Sequence, residues 1–166
     1  IILRYGQIRK YDVANGPGVR TSLFVTGCKH NCFNCFNKDY QDFKAGRLWT
    51  GEDRDRLIEY LSLDQVKGLS LLGGEPMENA GELVDIIRDI KQFIKKDIWL
   101  WSGFRLEEIM EDEDKLALLR EVDVLVDGKF VEKLKDLNLK FRGSSNQRIL
   151  DVRASLDSGR PVLLDI

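Results

Sequence analysis

The apolar positions of the chain fall into short β-like runs separated by longer amphipathic stretches. After an extended N-terminal stretch, residues 21–26 (Thr-Ser-Leu-Phe-Val-Thr) are β-branched and apolar and run into Gly27, which predicts the first core strand. Thr50 and Asp53 form a capping pattern ahead of Leu57, Ile58 and Leu61 at helical spacing. Residues 68–72 predict a second strand, ended by Gly73-Gly74. From Glu78 onward Leu83, Ile86, Ile87, Ile90 and Ile94 recur with helical period, with charges between them. A third strand is expected at 98–101, a helix at 105–120, a fourth strand at 122–126, and two further strands at 149–152 and 161–164.

Strands alternating with helices imply βαβ units, a mainly parallel sheet and right-handed crossovers, so the class is α/β. A closed eight-unit barrel takes about 250 residues, and this chain has 166. The expectation is therefore an open, incomplete TIM-like (β/α) barrel with one side uncovered. No internal repeat or linker interrupts the pattern, and residues 1–166 read as one domain.

Composition narrows the function classes. With 26 Lys and Arg against 28 Asp and Glu, the formal charge is −2, and no long basic run offers an electrostatic footprint for nucleic acid. No apolar run exceeds four residues, as in Ile98-Trp99-Leu100-Trp101, far short of the roughly 18 residues a membrane helix needs. Neither a membrane span nor a signal peptide is expected.

The cysteines carry the chemistry. All three, Cys28, Cys32 and Cys35, share one short segment, Cys-Lys-His-Asn-Cys-Phe-Asn-Cys. An odd, tightly spaced set is a poor disulfide framework and reads as a metal site in a reducing, cytoplasmic compartment. Three thiolates can hold an iron–sulfur cubane and leave one iron open to a further ligand. A zinc site using Cys28, His30, Cys32 and Cys35 is the competing reading. It would tie together nothing beyond its own loop, whereas structural zinc joins separate ligand pairs. The second constellation is Gly73-Gly74-Glu75-Pro76, where glycines allow close approach to the backbone and Glu75 can accept from an ammonium group; on its own it is equally a strand-ending turn.

Together, a Cys-x3-Cys-x2-Cys loop after one strand and Gly-Gly-Glu-Pro after the next resemble the radical S-adenosylmethionine superfamily. Within it the chain is similar to the activating enzymes of anaerobic ribonucleoside-triphosphate reductase. The likeness runs through residues 15–20, 27–32, 35–37, 101–104, 123–130 and 141–148, and covers about residues 12–153. The last two of those segments separate this subgroup from other glycyl-radical activators.

The resemblance implies a [4Fe-4S] cluster on Cys28, Cys32 and Cys35, with S-adenosylmethionine on the open iron. It further implies Gly73, Gly74 and Glu75 near the methionine amino group, and Asn34 and Phe36 near the adenine. Ser102 is either a cofactor contact or a helix-entry serine, and Asp127 is read as binding turn backbone. The implied reaction makes a 5′-deoxyadenosyl radical and installs a glycyl radical on the reductase, with electrons from a flavodoxin- or ferredoxin-like donor. An activase of another glycyl-radical enzyme such as pyruvate formate-lyase, or a small-molecule enzyme of the same superfamily, is the alternative. The chain departs from the family at Asn15, commonly aspartate, and at Asn34, commonly glycine.

The remaining marked residues have plainer readings. Trp99 and Trp101 alternate on a strand and read as core. Arg142, Arg148, Arg153 and Arg160 read as a solvated face. The acidic residues between Glu107 and Asp114 read as a helix face without metal-ligand geometry.

Overall fold

The computed structural model describes residues 3–28, 30 and 38–166. Seven strands form one open sheet: β1 (Arg4–Asp12), β2 (Arg20–Val25), β3 (Arg47–Leu48), β4 (Gly68–Gly73), β5 (Asp97–Ser102), β6 (Val124–Asp127) and β7 (Arg148–Asp151). Their order is β3-β1-β2-β4-β5-β6-β7. The four central strands β2, β4, β5 and β6 run parallel, while β1, β3 and β7 are antiparallel to their neighbours. The fold is therefore mixed α/β, with a parallel centre and antiparallel flanks. Among the described residues no helix is long and apolar enough to cross a membrane.

Strand alternation sorts the side chains into two faces. Leu23, Leu71, Leu100, Leu125 and Leu150 stand in register across the sheet, each fully buried, and pack against the helices. Those helices are α1 (Gly51–Leu61), α2 (Ala80–Lys91), α3 (Leu106–Met110) and α4 (Glu113–Leu119); α5 (Val152–Ser158) follows β7. Thr50 caps α1 as the sequence pattern predicts, forming a reciprocal capping box with Asp53. The opposite face presents Ser22, Ser70, Trp99 and Val124 in one row and Val126 with Ile149 in the next.

Several elements differ from the sequence expectation for identifiable reasons. The extended N-terminal stretch is a nine-residue strand, so the strand at β2 is second in the chain and the sheet centre is flanked by an antiparallel β1. The helix expected over 105–120 is two helices. Asp112 takes extended backbone angles and its carboxylate accepts from the Lys115 amide, a cap that ends one helix and starts the next. The strand expected at 161–164 is a single bridge between Leu163 and Leu150, since Pro161 has no N–H and the Val162 amide donates to Ser155 Oγ. The helix containing Leu83 stops at Lys91, before Ile94, and starts after a 3-10 turn over Pro76–Asn79.

A polar floor underlies the face opposite the helices. Arg20 is fully buried; its Nε donates to Ser70 Oγ at 2.8 Å, a terminal nitrogen pairs with Asp97, and the guanidinium lies 5.8 Å from the Trp99 ring. Ser70 Oγ in turn donates to the Asn15 carbonyl at 2.6 Å. Asp12 holds the same loop from its other end, accepting from the Ala14 amide at 2.9 Å, Asn15 Nδ2 at 2.8 Å and Ser22 Oγ at 2.6 Å. The Asn15 side-chain amide therefore acts as a donor to Asp12, a role an ionised carboxylate at that position could not fill.

Burial opposes the Asp12 charge, but the hydrogen bonds from Ser22, Asn15 and Ala14, with Arg9 nearby, outweigh it and hold its pKa below the ordinary carboxylate value. A depressed folded pKa stabilises the fold above the unfolded value, and that contribution is lost as pH falls through the folded pKa, below about pH 4. Asp12→Asn should therefore destabilise the protein by about 1–3 kcal/mol at neutral pH in urea denaturation. The difference from wild type should shrink as the titration is repeated toward about pH 2. A difference of constant size across that range would assign Asp12 to shape rather than charge.

Candidate functional site

A cavity of about 420 Å³ opens on the face opposite the helices, at the carboxyl ends of the parallel strands. That is where α/β sheets carry their sites. Its wall includes Cys28, Gly73, Gly74, Glu75 and Ser102 from the predicted set, together with Trp101. Cys32, Cys35, Asn34 and Phe36 lie outside the described residues.

The cysteine segment leaves β2 at Gly27, and its two ends are tied to each other. The Gly27 amide donates to the Tyr40 carbonyl at 2.7 Å and the Cys28 amide to the Gln41 carbonyl at 2.8 Å. Cys28 is half-buried. The turn after β4 is laced to the same strand end: Gly74 N–H donates to Val25 O at 2.8 Å and Glu75 N–H to Gly27 O at 2.7 Å. Two glycines are needed for this seam. Gly73 has φ of +116°, and a Cβ on Gly74 would stand 2.3 Å from the Tyr40 carbonyl oxygen and 2.7 Å from that of Gly27. The Gly-Gly pair thus holds two site loops together by its own backbone, besides facing the cavity.

Glu75 is almost wholly buried and accepts four hydrogen bonds. His30 Nε2 at 2.6 Å and the Gly103 amide at 2.7 Å donate to Oε1. The Met77 amide and Ser102 Oγ, both at 2.9 Å, donate to Oε2. Four neutral or cationic donors around one carboxylate compensate its burial. Ser102 Oγ also accepts from the Phe104 amide at 3.0 Å, so this hydroxyl joins the Glu75 carboxylate to the entry of α3. With the same turn, Asp127 accepts from the Leu106 amide at 2.7 Å.

Two sequence readings need correction. Trp99 is core, as expected, but Trp101 is half-buried on the cavity wall, and its Nε1 donates to the Phe141 carbonyl at 2.7 Å. Phe141 holds a left-handed φ of +61°, rare for an aromatic residue, and meets Trp99 edge-on at 5.5 Å. Arg148 is not a solvated residue: it pairs with buried Asp127 and with Glu107, and Asp127 raises its pKa further above the ordinary arginine value.

Residues 128–148 form a flap held by side-chain amides. Gln147 Oε1 accepts from the Gly143 and Ser144 amides, while its Nε2 donates to the Gly128 carbonyl at 3.0 Å. Asn146 Nδ2 donates to the Lys129 carbonyl at 2.8 Å. The two segments that singled out the subgroup in sequence are therefore neighbours in space, clamped to each other beside the cavity. Trp101, Phe141 and Gln147 were not marked as site residues by sequence reasoning; the strand alternation that exposes Trp101 to this face was visible, the left-handed Phe141 was not.

Of the three thiols the sequence offers to an iron–sulfur group, the described residues include Cys28, on the wall of this cavity. The model of the 4Fe-4S single cluster domain matches residues 14–150. A protein of Vibrio cholerae named anaerobic ribonucleoside-triphosphate reductase-activating protein is 42% identical over 152 residues, 89% of this chain and 97% of the relative. The chain belongs to this family. Members of the same name from Salmonella typhi and Enterobacteria phage T4 are each 39% identical, covering 91% and 89% of this chain and 100% and 93% of their own. The chain thus spans essentially the full length of these family members, including the flap.

The seam between the loops can be tested directly. Gly74→Ala should cost about 1–3 kcal/mol in urea denaturation, because the added methyl meets backbone oxygens on two sides. Gly81→Ala, where the nearest atom is 3.9 Å away in a helix, should be neutral or slightly stabilising. Equal effects at the two positions would contradict the packing described.

Proposed function

We propose that the protein is a radical S-adenosylmethionine enzyme that installs a glycyl radical on anaerobic ribonucleoside-triphosphate reductase. The observation that supports this reading is the seam that holds Cys28, the first residue of the cysteine motif, beside the Gly-Gly-Glu-Pro turn on one cavity, in a chain of this family. In this reading Cys28, Cys32 and Cys35 hold a [4Fe-4S] cluster, and the open sheet is an incomplete TIM-like barrel whose uncovered side admits a loop of the partner. The compartment is the cytoplasm, and a flavodoxin- or ferredoxin-like protein supplies the electron.

Cys28, Cys32 and Cys35 would hold the cluster, and when bound it would supply the one electron needed for reductive cleavage of S-adenosylmethionine and so for hydrogen abstraction from a glycine Cα of the reductase. The chain's own residues bind, orient and enclose. The backbone of Gly73 and Gly74 lies open on the cavity wall and offers carbonyls to an ammonium group. Trp101 and Phe141 give an apolar wall that excludes water from a reactive radical. Ser102 lies at the end of β5, its hydroxyl hydrogen committed to Glu75. Asn34 and Phe36, flanking the last cysteine, are assigned to the adenine.

The test is anaerobic: reduced, reconstituted protein and S-adenosylmethionine are mixed with the reductase, and electron paramagnetic resonance should show a carbon-centred doublet on the partner. Replacing the partner's radical-site glycine should remove it. Cys28→Ala, Cys32→Ala and Cys35→Ala should each abolish the signal, since two ligands do not retain a cubane. A full doublet from any cysteine variant would overturn the ligand assignment. Turnover of a small metabolite without any partner doublet would assign the chain to a small-molecule enzyme instead.

A further inference from the structure

We propose that His30 is a positioning residue for the iron–sulfur site, a peg through which the Glu75 carboxylate fixes the cysteine loop. The inference rests on the cluster reading above and deepens it. His30 stands between Cys28 and Cys32, yet its side chain is only 7% exposed. Three contacts from outside its own loop form the socket. Its Nε2 donates to Glu75 Oε1 at 2.6 Å. Its ring meets Phe104 edge-on, with centroids 4.5 Å apart and an interplanar angle of 68°. And it packs so closely on Gly103 that a Cβ there would lie 2.6 Å from its Cδ2. Gly103 is thus required by the imidazole and not by any left-handed backbone angle.

The socket is itself braced. Phe104 carries the Lys115 ammonium 4.8 Å from its ring centroid, and its amide donates to Ser102 Oγ. Glu75 belongs to the turn after β4, while Ser102, Gly103 and Phe104 belong to the end of β5 and the turn beyond it. Through His30 the start of the cysteine segment, which follows β2, is locked to the ends of β4 and β5, the next two strands of the sheet. A cluster-binding loop that is closed by its metal alone must be ordered on loading; a loop already pinned at His30, between its first two cysteines, bears less of that entropic cost and releases iron more slowly.

The same geometry redefines Glu75. Its two oxygens already receive four donors, which fills about the number of lone-pair sites a carboxylate has. An ammonium group of a ligand would have to displace one of them. The carboxylate's task is accordingly to hold His30, Ser102 and Gly103 in place, and the contact to a ligand's amino group falls to the carbonyls of the glycines. With Nε2 taken up by Glu75, His30 is also unavailable through that atom as a fourth metal ligand.

The experiment compares wild type with His30→Ala and His30→Gln, whose amide nitrogen can reach the Nε2 position. The reconstituted proteins are challenged with an iron(II) chelator and the rate of iron loss is followed by absorbance, alongside urea denaturation of the cluster-free forms. His30→Ala should lose iron roughly 10-fold faster or more, as expected for a missing hydrogen bond to a carboxylate, and His30→Gln should return to near the wild-type rate. Glu75→Gln should accelerate loss in the wild-type background and add less on top of His30→Ala than it does there, the remainder reflecting its bonds to Ser102 and Gly103. Wild-type iron retention in His30→Ala, no rescue by His30→Gln, or additive effects of the two sites would each overturn the proposal. So would a cluster-free His30→Ala protein unfolded to the same degree as its iron loss requires, because the ring would then serve the fold alone. A wild-type protein that takes up no cluster overturns the proposed function, a result separate from these.

Discussion

The arrangement of the site depends on one buried carboxylate and the backbone seam beneath it. Glu75 is carried on a turn whose Gly74 amide is hydrogen-bonded to the carbonyl of Val25, the last residue of β2, and whose Glu75 amide is hydrogen-bonded to that of Gly27 just beyond it. That seam sets the carboxylate where the cysteine loop leaves one strand and where β5 ends on the other side. Buried and ringed by donors, the carboxylate cannot be left with fewer partners without an unfavourable desolvated charge, so the three strand ends are held in one geometry. The helices on the far face supply the core that makes this rigid: leucines in register from β2 to β7.

Beyond the strand ends, the wall is completed by the flap over residues 128–148. Its order comes less from apolar burial than from side-chain amides, with Gln147 and Asn146 clamping opposite arms. Leu137 at its tip is 82% exposed. The flap is thus fixed mainly by directional hydrogen bonds, with its tip left to solvent. The left-handed Phe141, whose carbonyl accepts from Trp101 Nε1, joins the flap to the cavity wall.

The sheet's parallel centre was legible because β2, β4, β5 and β6 are short apolar runs ended by glycine, serine or aspartate, and helical period marks α2 without ambiguity. β1 escaped notice as a strand because its residues alternate only loosely and one side of it is solvated. The break at Asp112 and the failed strand at Pro161 turn on single caps and single missing donors, which periodicity does not report. At the site, residue type and spacing pointed to the cysteines and to the glycine-rich turn. What those residues do to one another, above all His30 reaching Glu75 across 45 positions of sequence, is a tertiary fact with no local signal.

In the proposed function these strand ends together prepare S-adenosylmethionine for reductive cleavage. The most direct measurement is anaerobic: the reconstituted protein is reduced chemically in the presence of S-adenosylmethionine and the products are quantified by chromatography. The account predicts 5′-deoxyadenosine and methionine in equal amounts, dependent on the cluster. An intact, reduced cluster that leaves S-adenosylmethionine uncleaved, with or without the reductase, would contradict it.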